Sequence, residues 1–290
     1  MTEKNKKRTE KEKEEIKEKS QGNNTECCEF FSVEIPKDSN FEEPEKTDSK
    51  DKACYRASIL FCGIKAASAE IADVKNYLKE LKKTEDKNNV HIICLDERYI
   101  AGIRHIKSAV FHAKRAWSRG EQISKSFEME VLLYAAGTRQ CSEAGSLGFK
   151  RGRNRLYICV AVDSSERIND SKTAGTIISK VFNELSGLFS FDNSCKDPKN
   201  PYSLYAYDFF LEKLQNLHSF PDEDLNKTKK DASKGLGSEK SDEKFDEIFK
   251  KKTAALMKMF EISDDEIKIA GYSRLPELVA ERVALLDVTK

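Results

Sequence analysis

The residues best suited to chemistry lie in one basic segment, and the chemistry they suit is attraction of a polyanion. Residues 98–120 contain no Asp or Glu, although the chain has 51 Lys and Arg against 50 Asp and Glu. Lysine and arginine attract phosphates and release counterions, and aromatic side chains stack on unpaired bases. We therefore expect an RNA surface that includes Arg104, Lys107, Phe111, His112, Lys114, Arg115 and Arg119.

A second group of cations follows this segment along the chain. Arg139 stands alone, and the run Lys150-Arg-Gly-Arg-Asn-Arg155 follows it. The run has too few glycines to form a phosphate-binding loop, and neither glycine-rich phosphate motif occurs in the sequence. We expect Arg139, Lys150 and Arg151 to extend the RNA surface. The alternative is a solvated basic face with no ligand, which the spacing of the cations alone explains equally well.

The sequence offers no constellation for catalysis. His105 and His112 lie seven residues apart, which is about two helical turns and too far for two ligands of one metal ion. No Ser/His/Asp or Cys/His arrangement is apparent. Glu128 and Glu130 fall in the first turn of a helix, where they complement its dipole. We therefore expect no metal, no cofactor and no enzymatic activity.

Periodicity predicts the elements that position these residues. Apolar runs of strand length cover 57–64, 90–95 and 156–162, and 28–35 is either an edge strand or a docking motif. Helical spacing predicts helices over 66–81, 97–118, 126–136, 139–147, 173–188, 243–260 and from 263 onward, and the aromatic, amphipathic pattern of 202–217 suggests an added helix. The C-terminal stretch 275–288 ends in an apolar segment. In the helix over 97–118, a core-facing stripe is expected from Ile103, Ile106, Val110, Ala113 and Trp117.

Composition sets the domain organisation. The chain has 290 residues, of which 38% are hydrophobic and 35% charged, more charged than an ordinary globular domain. We expect a disordered charged tail over 1–51, one domain from 52–190 plus 243–290, and a partly disordered insertion over 191–242. The 8 Cys are expected to be reduced structural thiols. No apolar run approaches the roughly 20 residues of a membrane span, and no signal peptide is apparent, which favours a cytoplasmic protein.

Several segments together resemble a known family. They include Ser58-Ile-Leu-Phe-Cys-Gly-Ile-Lys-Ala66, His105-Ile-Lys-Ser-Ala109, Ala116-Trp-Ser-Arg-Gly120, Met129-Glu-Val-Leu-Leu-Tyr-Ala-Ala-Gly137 with Arg139-Gln-Cys, and Val283-Ala-Leu-Leu-Asp-Val288. They resemble the tRNA-binding, kinase-binding accessory subunit of the archaeal and eukaryotic KEOPS complex, in its archaeal form. The similarity covers about 57–181 and the chain from about 253. Its most specific part is the pattern Met-Glu-x-Leu-Leu-Tyr-x-x-Gly-x-Arg-Gln.

The resemblance implies an α+β fold in which a small, few-stranded mixed sheet packs against several helices. It implies a non-catalytic subunit that captures the single-stranded 3′ CCA end of tRNA and binds the complex's atypical kinase/ATPase subunit. Through that subunit it would support the catalytic threonylcarbamoyltransferase subunit, which modifies a tRNA adenosine. The family's Arg-Gln pair corresponds to Arg139 and Gln140, and its basic helix to 104–119.

The sequence departs from this family in two ways. The tail before Lys52 and the insertion over about 190–242 are additional, and Cys141 occupies a position where a larger apolar residue is common. A kinase regulator that makes only protein contacts remains the alternative function. A third interpretation is an independent hydrolase, but the sequence offers no residues that could be assigned to its catalysis.

Overall fold

A computed structural model of the chain describes residues 29–35, 58–165, 167–192, 207, 211 and 239–288. Five strands form one sheet in the order β1-β2-β4-β3, and β5 pairs with the end of β2. Every pairing is antiparallel. The strands are β1 (Glu29–Ile35), β2 (Ser58–Ile71), β3 (His91–Asp96), β4 (Gly152–Asp163) and β5 (Ser190–Phe191). The α+β class is therefore confirmed, but the expected mixed sheet is wrong.

Helices cover both faces of the sheet. They are α1 (Val74–Asn88), α2 (Ile103–Ser118), α3 (Phe127–Ala136), α4 (Cys141–Ala144), α5 (Ser171–Leu185), α6 (Glu239–Met259), α7 (Asp264–Ala270) and α8 (Leu275–Val288), with short 3-10 turns at Glu97–Tyr99, Gly145–Leu147 and Tyr272–Arg274. Helices α1 and α5 pack on one face of the sheet. Helices α2, α3 and α8 pack on the other, and with α6 they complete a three-layer arrangement.

The two central strands are buried on both faces. Along β4, Ile158 and Val160 belong to the core beneath α1 and α5, whereas Tyr157 and Cys159 belong to the core beneath α2 and α3. Alternating side chains of a strand point to opposite faces, so a strand covered on both sides needs apolar residues at every position. This explains the continuous apolar runs and confirms the buried strands predicted from them.

Two helix starts differ from the prediction. Residues 66–71 continue β2 instead of beginning a helix, because β4 pairs with β2 as far as Ile71. The carboxylate of Asp73 then accepts the backbone N–H groups of Lys75 and Asn76, which begins α1 at Val74. The helix also continues through 82–88, beyond the end predicted at 81. In the same way, Asp96 caps only the turn Glu97–Tyr99, and α2 begins after Gly102, whose φ is 96°.

The predicted domain boundaries are only partly covered by the described residues. Strand β1 lies inside the segment 1–51 that was expected to be a disordered tail, and it forms the edge strand that 28–35 allowed. Most of the expected insertion over 191–242, including the helix suggested by its aromatic pattern, lies outside the described residues. The cysteines of the described part, Cys62, Cys94, Cys141 and Cys159, are free thiols, and the first, second and fourth are buried. No helix among the described residues is long and apolar enough to cross a membrane.

Candidate nucleic-acid interface

Cations of the predicted basic helix form ion pairs with carboxylates that belong to other elements of the fold. The guanidinium of Arg104 pairs with Glu277 of α8. The ammonium of Lys107 lies 2.7 Å from Glu29 of β1 and 5.2 Å from the ring centre of Phe31. The absence of acids from 98–120 therefore does not produce an unpaired basic face, since the fold supplies the acids from distant parts of the chain.

Lys114 is not available to a ligand. It is 6% exposed and forms an ion pair with Asp163 at the end of β4. A buried ammonium needs a charged partner because loss of hydration otherwise opposes its charge. Asp163 also lies 3.9 Å from Nε2 of His91, so the same carboxylate faces both side chains. The structure thus corrects the expectation that Lys114 faces outward toward RNA.

Arg115 and His112 meet at one buried carboxylate. The guanidinium of Arg115 pairs with Asp287 of α8, and Nδ1 of His112 lies 2.5 Å from the same carboxylate. The hydroxyl of Tyr134 donates to its other oxygen. Burial alone would raise the pKa of Asp287, but the hydrogen bonds from Tyr134 and His112 and the charge of Arg115 lower it below its usual value. These groups therefore fix α8 to α2 and α3.

Phe111 is not an open platform for a nucleobase. Its ring is half-buried and packs against the core beneath α2. The guanidinium carbon of Arg115 lies 5.7 Å from its centre, and the imidazole of His112 meets it edge-on at 5.3 Å. The ring is thus already occupied by neighbours on its own helix. By contrast, the predicted core stripe is confirmed, with Ile103, Ile106, Val110 and Ala113 buried and Trp117 packed edge-on against Phe127.

Exposed polar residues lie at the ends of α2 and α3. Arg119 is exposed just after α2, and Arg139 and Gln140 are exposed after α3. Gly137 ends α3 with a φ of 62°, as its position in the sequence predicted, and a side chain there would meet the ring of Phe260 at 3.2 Å. Only glycine adopts this conformation readily, so the direction in which the chain leaves α3 toward Arg139 is fixed.

The second basic run forms a well-defined loop. Lys150 and Arg151 are exposed, and the side chain of Asn154 closes the turn behind them. Its amide oxygen accepts the backbone N–H of Lys150 at 2.8 Å, and its amide nitrogen donates to the carbonyls of Lys150 and Gly152, each at 2.7 Å. In the described part of the chain, neither Lys150 nor Arg151 forms an ion pair. Both side chains are therefore accessible to a ligand, unlike that of Lys114.

The histidines of the described part have structural partners. His105 is fully buried; its Nδ1 accepts the N–H of Ala101 at 3.1 Å, and its Nε2 donates to the carbonyl of Ala135 at 2.9 Å. Burial lowers the pKa of His105 to about 4, so the ring is neutral at physiological pH. Within the described residues, no group of three or more His, Cys, Asp or Glu side chains is arranged to hold a metal ion.

One histidine–carboxylate pair was not anticipated. Nδ1 of His91 lies 2.6 Å from Glu128 of α3, so Glu128 does more than complement a helix dipole. Burial would raise the pKa of Glu128, but hydrogen bonding with His91 and with backbone amides lowers it to about 2. Glu130 is fully buried and accepts the backbone N–H groups of Ile123 and Ser124. Both glutamates therefore organise the start of α3, and no sequence spacing indicated either contact.

A scan of the chain against models of protein families matches no family. A search of the curated proteins finds no match.

Proposed function

We propose that this protein is a non-catalytic subunit of a KEOPS complex. In this role it binds the single-stranded 3′ CCA end of tRNA and the complex's atypical kinase/ATPase subunit. Through the kinase subunit it supports the threonylcarbamoyltransferase subunit, which modifies a tRNA adenosine. Its place of action is the cytoplasm, and it needs no cofactor.

The observation that carries the proposal is the packing of the resembling segments against one another. Tyr134, from the most specific of these segments, donates to Asp287, from the C-terminal one. His105, from the segment His105–Ala109 in α2, donates to the carbonyl of Ala135. Segments far apart in the chain thus form one unit, which supports reading them together as a single family pattern and not as separate chance matches.

The distribution of charge supports a revised RNA surface. Lys114, His112 and Arg115 serve to hold elements together, and Arg104 and Lys107 are each paired with a carboxylate. We therefore assign RNA contact mainly to the exposed residues Arg119, Arg139, Gln140, Lys150 and Arg151. Exposed guanidinium and ammonium groups attract phosphates without first having to break a buried ion pair.

The test compares intact tRNA with tRNA that lacks its last three nucleotides. We expect the full chain to bind intact tRNA at least tenfold more tightly, and Arg139→Glu to remove most of that difference. Arg274→Glu is the matched control, because Arg274 is also exposed and the change in charge is identical. Equal affinity for the two tRNAs would reject capture of the CCA end, and equal effects of the two variants would reject Arg139 as a contact.

A specific observation also favours the alternative, a kinase regulator that makes only protein contacts. On helix α8, Leu285 is 47% exposed and Val288 is 78% exposed. Leu278 is half-buried on the same side of the helix, about two turns before Leu285. Such an apolar stripe on an outer helix is typical of a protein contact. This alternative predicts tight binding of the kinase subunit with no dependence on the CCA end, so the same pair of tRNAs separates the two functions.

A further inference from the structure

Two cations lie close to one aromatic ring beside the loop at 150–154. Tyr99 lies in the turn that follows β3, and its ring centre is 5.5 Å from the guanidinium carbon of Arg98 and 5.8 Å from Nζ of Lys150. The negative face of an aromatic ring attracts cations, which offsets part of their mutual repulsion. The two cations come from different segments of the chain, so the fold, and not the sequence alone, creates this proximity.

The loop adds two more cations in a fixed geometry. Asn154 is only 8% exposed, and its three hydrogen bonds hold the chain between Lys150 and Gly152. Gly152 has a φ of 95°, which turns the chain sharply between Arg151 and Arg153. The side chain of Arg153 is 95% exposed. We call the set Arg98, Tyr99, Lys150, Arg151 and Arg153 the Tyr99 patch.

The carboxylates near this patch do not cancel its charge. Arg153 lies 3.5 Å from Glu70, but both side chains are largely exposed, and such pairs contribute only about 0–1 kcal/mol. Arg98 pairs with Asp96, yet its own side chain remains 61% exposed. Phosphate can therefore displace Glu70 from Arg153 at low cost, and it can approach the exposed part of Arg98 while the pair with the buried carboxylate of Asp96 stays intact. The side chain of Lys114, by contrast, is itself only 7% exposed.

We propose that the Tyr99 patch is a second RNA contact, which binds the sugar-phosphate backbone separately from capture of the 3′ end. This inference rests on the proposed function, because it takes tRNA as the ligand. Within that function it assigns Arg98, Tyr99 and Arg153 to RNA binding and makes Asn154 a positioning residue. Contacts to phosphate fix the position of a nucleic acid and do not select its sequence. The patch therefore contributes affinity, and selection of the 3′ end belongs elsewhere on the molecule.

The experiment measures tRNA binding by the full chain between 50 and 200 mM salt, with fluorescence anisotropy as the readout. In Lys150→Gln/Arg151→Gln, we expect the affinity at low salt to fall about tenfold and the slope of log affinity against log salt to decrease by about 1 to 2. Lys79→Gln/Lys83→Gln is the matched control, because both lysines are exposed on α1, neither belongs to the Tyr99 patch, and the change in charge is identical. The control is expected to retain both the affinity and the slope.

The outcomes separate this inference from the function on which it rests. If the unmodified chain does not bind tRNA, the proposed function itself is wrong. If it binds tRNA in a manner that depends on the CCA end, while the patch and control variants behave alike, the function stands and the patch is overturned. Weaker binding of the purified kinase subunit by the patch variant, with unchanged tRNA affinity, would also overturn it by making the surface a protein contact.

Discussion

The hydroxyl of Tyr134 donates a hydrogen bond to Asp287, joining two residues that lie 153 positions apart in the chain. The same carboxylate receives Arg115 and His112 from α2. Three helices thus share one charged group, whose side chain is only 7% exposed. A buried carboxylate is tolerated when each of its oxygens has a hydrogen-bond partner. Loss of the Asp287 carboxylate would leave Tyr134, His112 and Arg115 without their shared partner.

Asp287→Asn is therefore expected to lower the free energy of unfolding by about 2–3 kcal/mol, since Arg115 loses its counter-charge and His112 and Tyr134 lose a carboxylate partner. Urea denaturation followed by circular dichroism measures the change. Asp265→Asn is the control, because the side chain of Asp265 is 87% exposed and pairs with Lys268 on its own helix. The control should change stability by less than about 0.5 kcal/mol. Similar losses in the two variants would contradict a special role for Asp287.

His105 predicts a dependence of stability on pH. An unfolded imidazole protonates near pH 6.5, whereas burial lowers the pKa of His105 in the fold to about 4. The unfolded chain therefore binds more protons between these values. The contribution of neutral His105 is fully present above pH 6.5 and is lost as the pH falls toward 4. Between pH 7 and 5 this loss should amount to about 2 kcal/mol.

Comparison with His105→Gln isolates this contribution, because glutamine can accept from Ala101 and donate to Ala135 but does not titrate. We expect the variant to be less stable at pH 7 and the gap between the two proteins to narrow by pH 5. Urea denaturation at several pH values provides the measurement. Parallel stability curves over this range would mean that His105 is not held neutral.

Local signals in the sequence were sufficient for much of the fold. Ser126 and Gly137 bound α3 as predicted, and the apolar stripe of α2 packs inward as predicted. These features depend on residues close together in the chain, whose backbone conformations and periodicity are visible in the sequence. By contrast, 66–71 are rich in alanine, which favours a helix, and their pairing with a distant strand overrode that preference.

The candidate site was harder to predict because charge is neutralised through space. The acid-free segment suggested an open basic face, but four carboxylates reach it from three other elements: Glu29 of β1, Asp163 of β4, and Glu277 and Asp287 of α8. Nothing in the local spacing indicates which distant carboxylates will approach a helix. The Tyr99 patch escaped prediction for the same reason, since Arg98 and Lys150 converge only in the fold.

Because Lys114 is buried, reversing its charge is expected to lower the stability of the fold, and this effect has to be measured before any effect on binding is interpreted. Lys114→Glu places a carboxylate beside Asp163 at a position where the side chain is only 7% exposed, and we expect a loss of about 3 kcal/mol or more. Lys107→Glu is the control on the same helix: its side chain is 40% exposed, so the cost should stay within about 1 kcal/mol. Urea denaturation measures both. If Lys114→Glu is as stable as Lys107→Glu, the buried pair is not important to the fold.

Neighbouring leucines on α8 separate packing from partner binding. Leu285 is 47% exposed, whereas Leu286 is 6% exposed and belongs to the core. Leu285→Glu should leave the stability within about 0.5 kcal/mol and reduce affinity for the purified kinase subunit at least tenfold, because it places a charge in the apolar stripe. Leu286→Ala should instead lower the stability by about 2–4 kcal/mol and leave the affinity of the folded protein nearly unchanged.

Calorimetric titration of the kinase subunit into each folded variant measures the affinity, and urea denaturation measures the stability. Full retention of kinase binding by Leu285→Glu would exclude this side of α8 as the contact. Loss of binding in Leu285→Glu with unchanged tRNA affinity would instead assign kinase and tRNA to different surfaces. We expect this second result, because Asp287 holds the inner side of α8 against α2, which leaves Leu285 and Val288 directed away from the core.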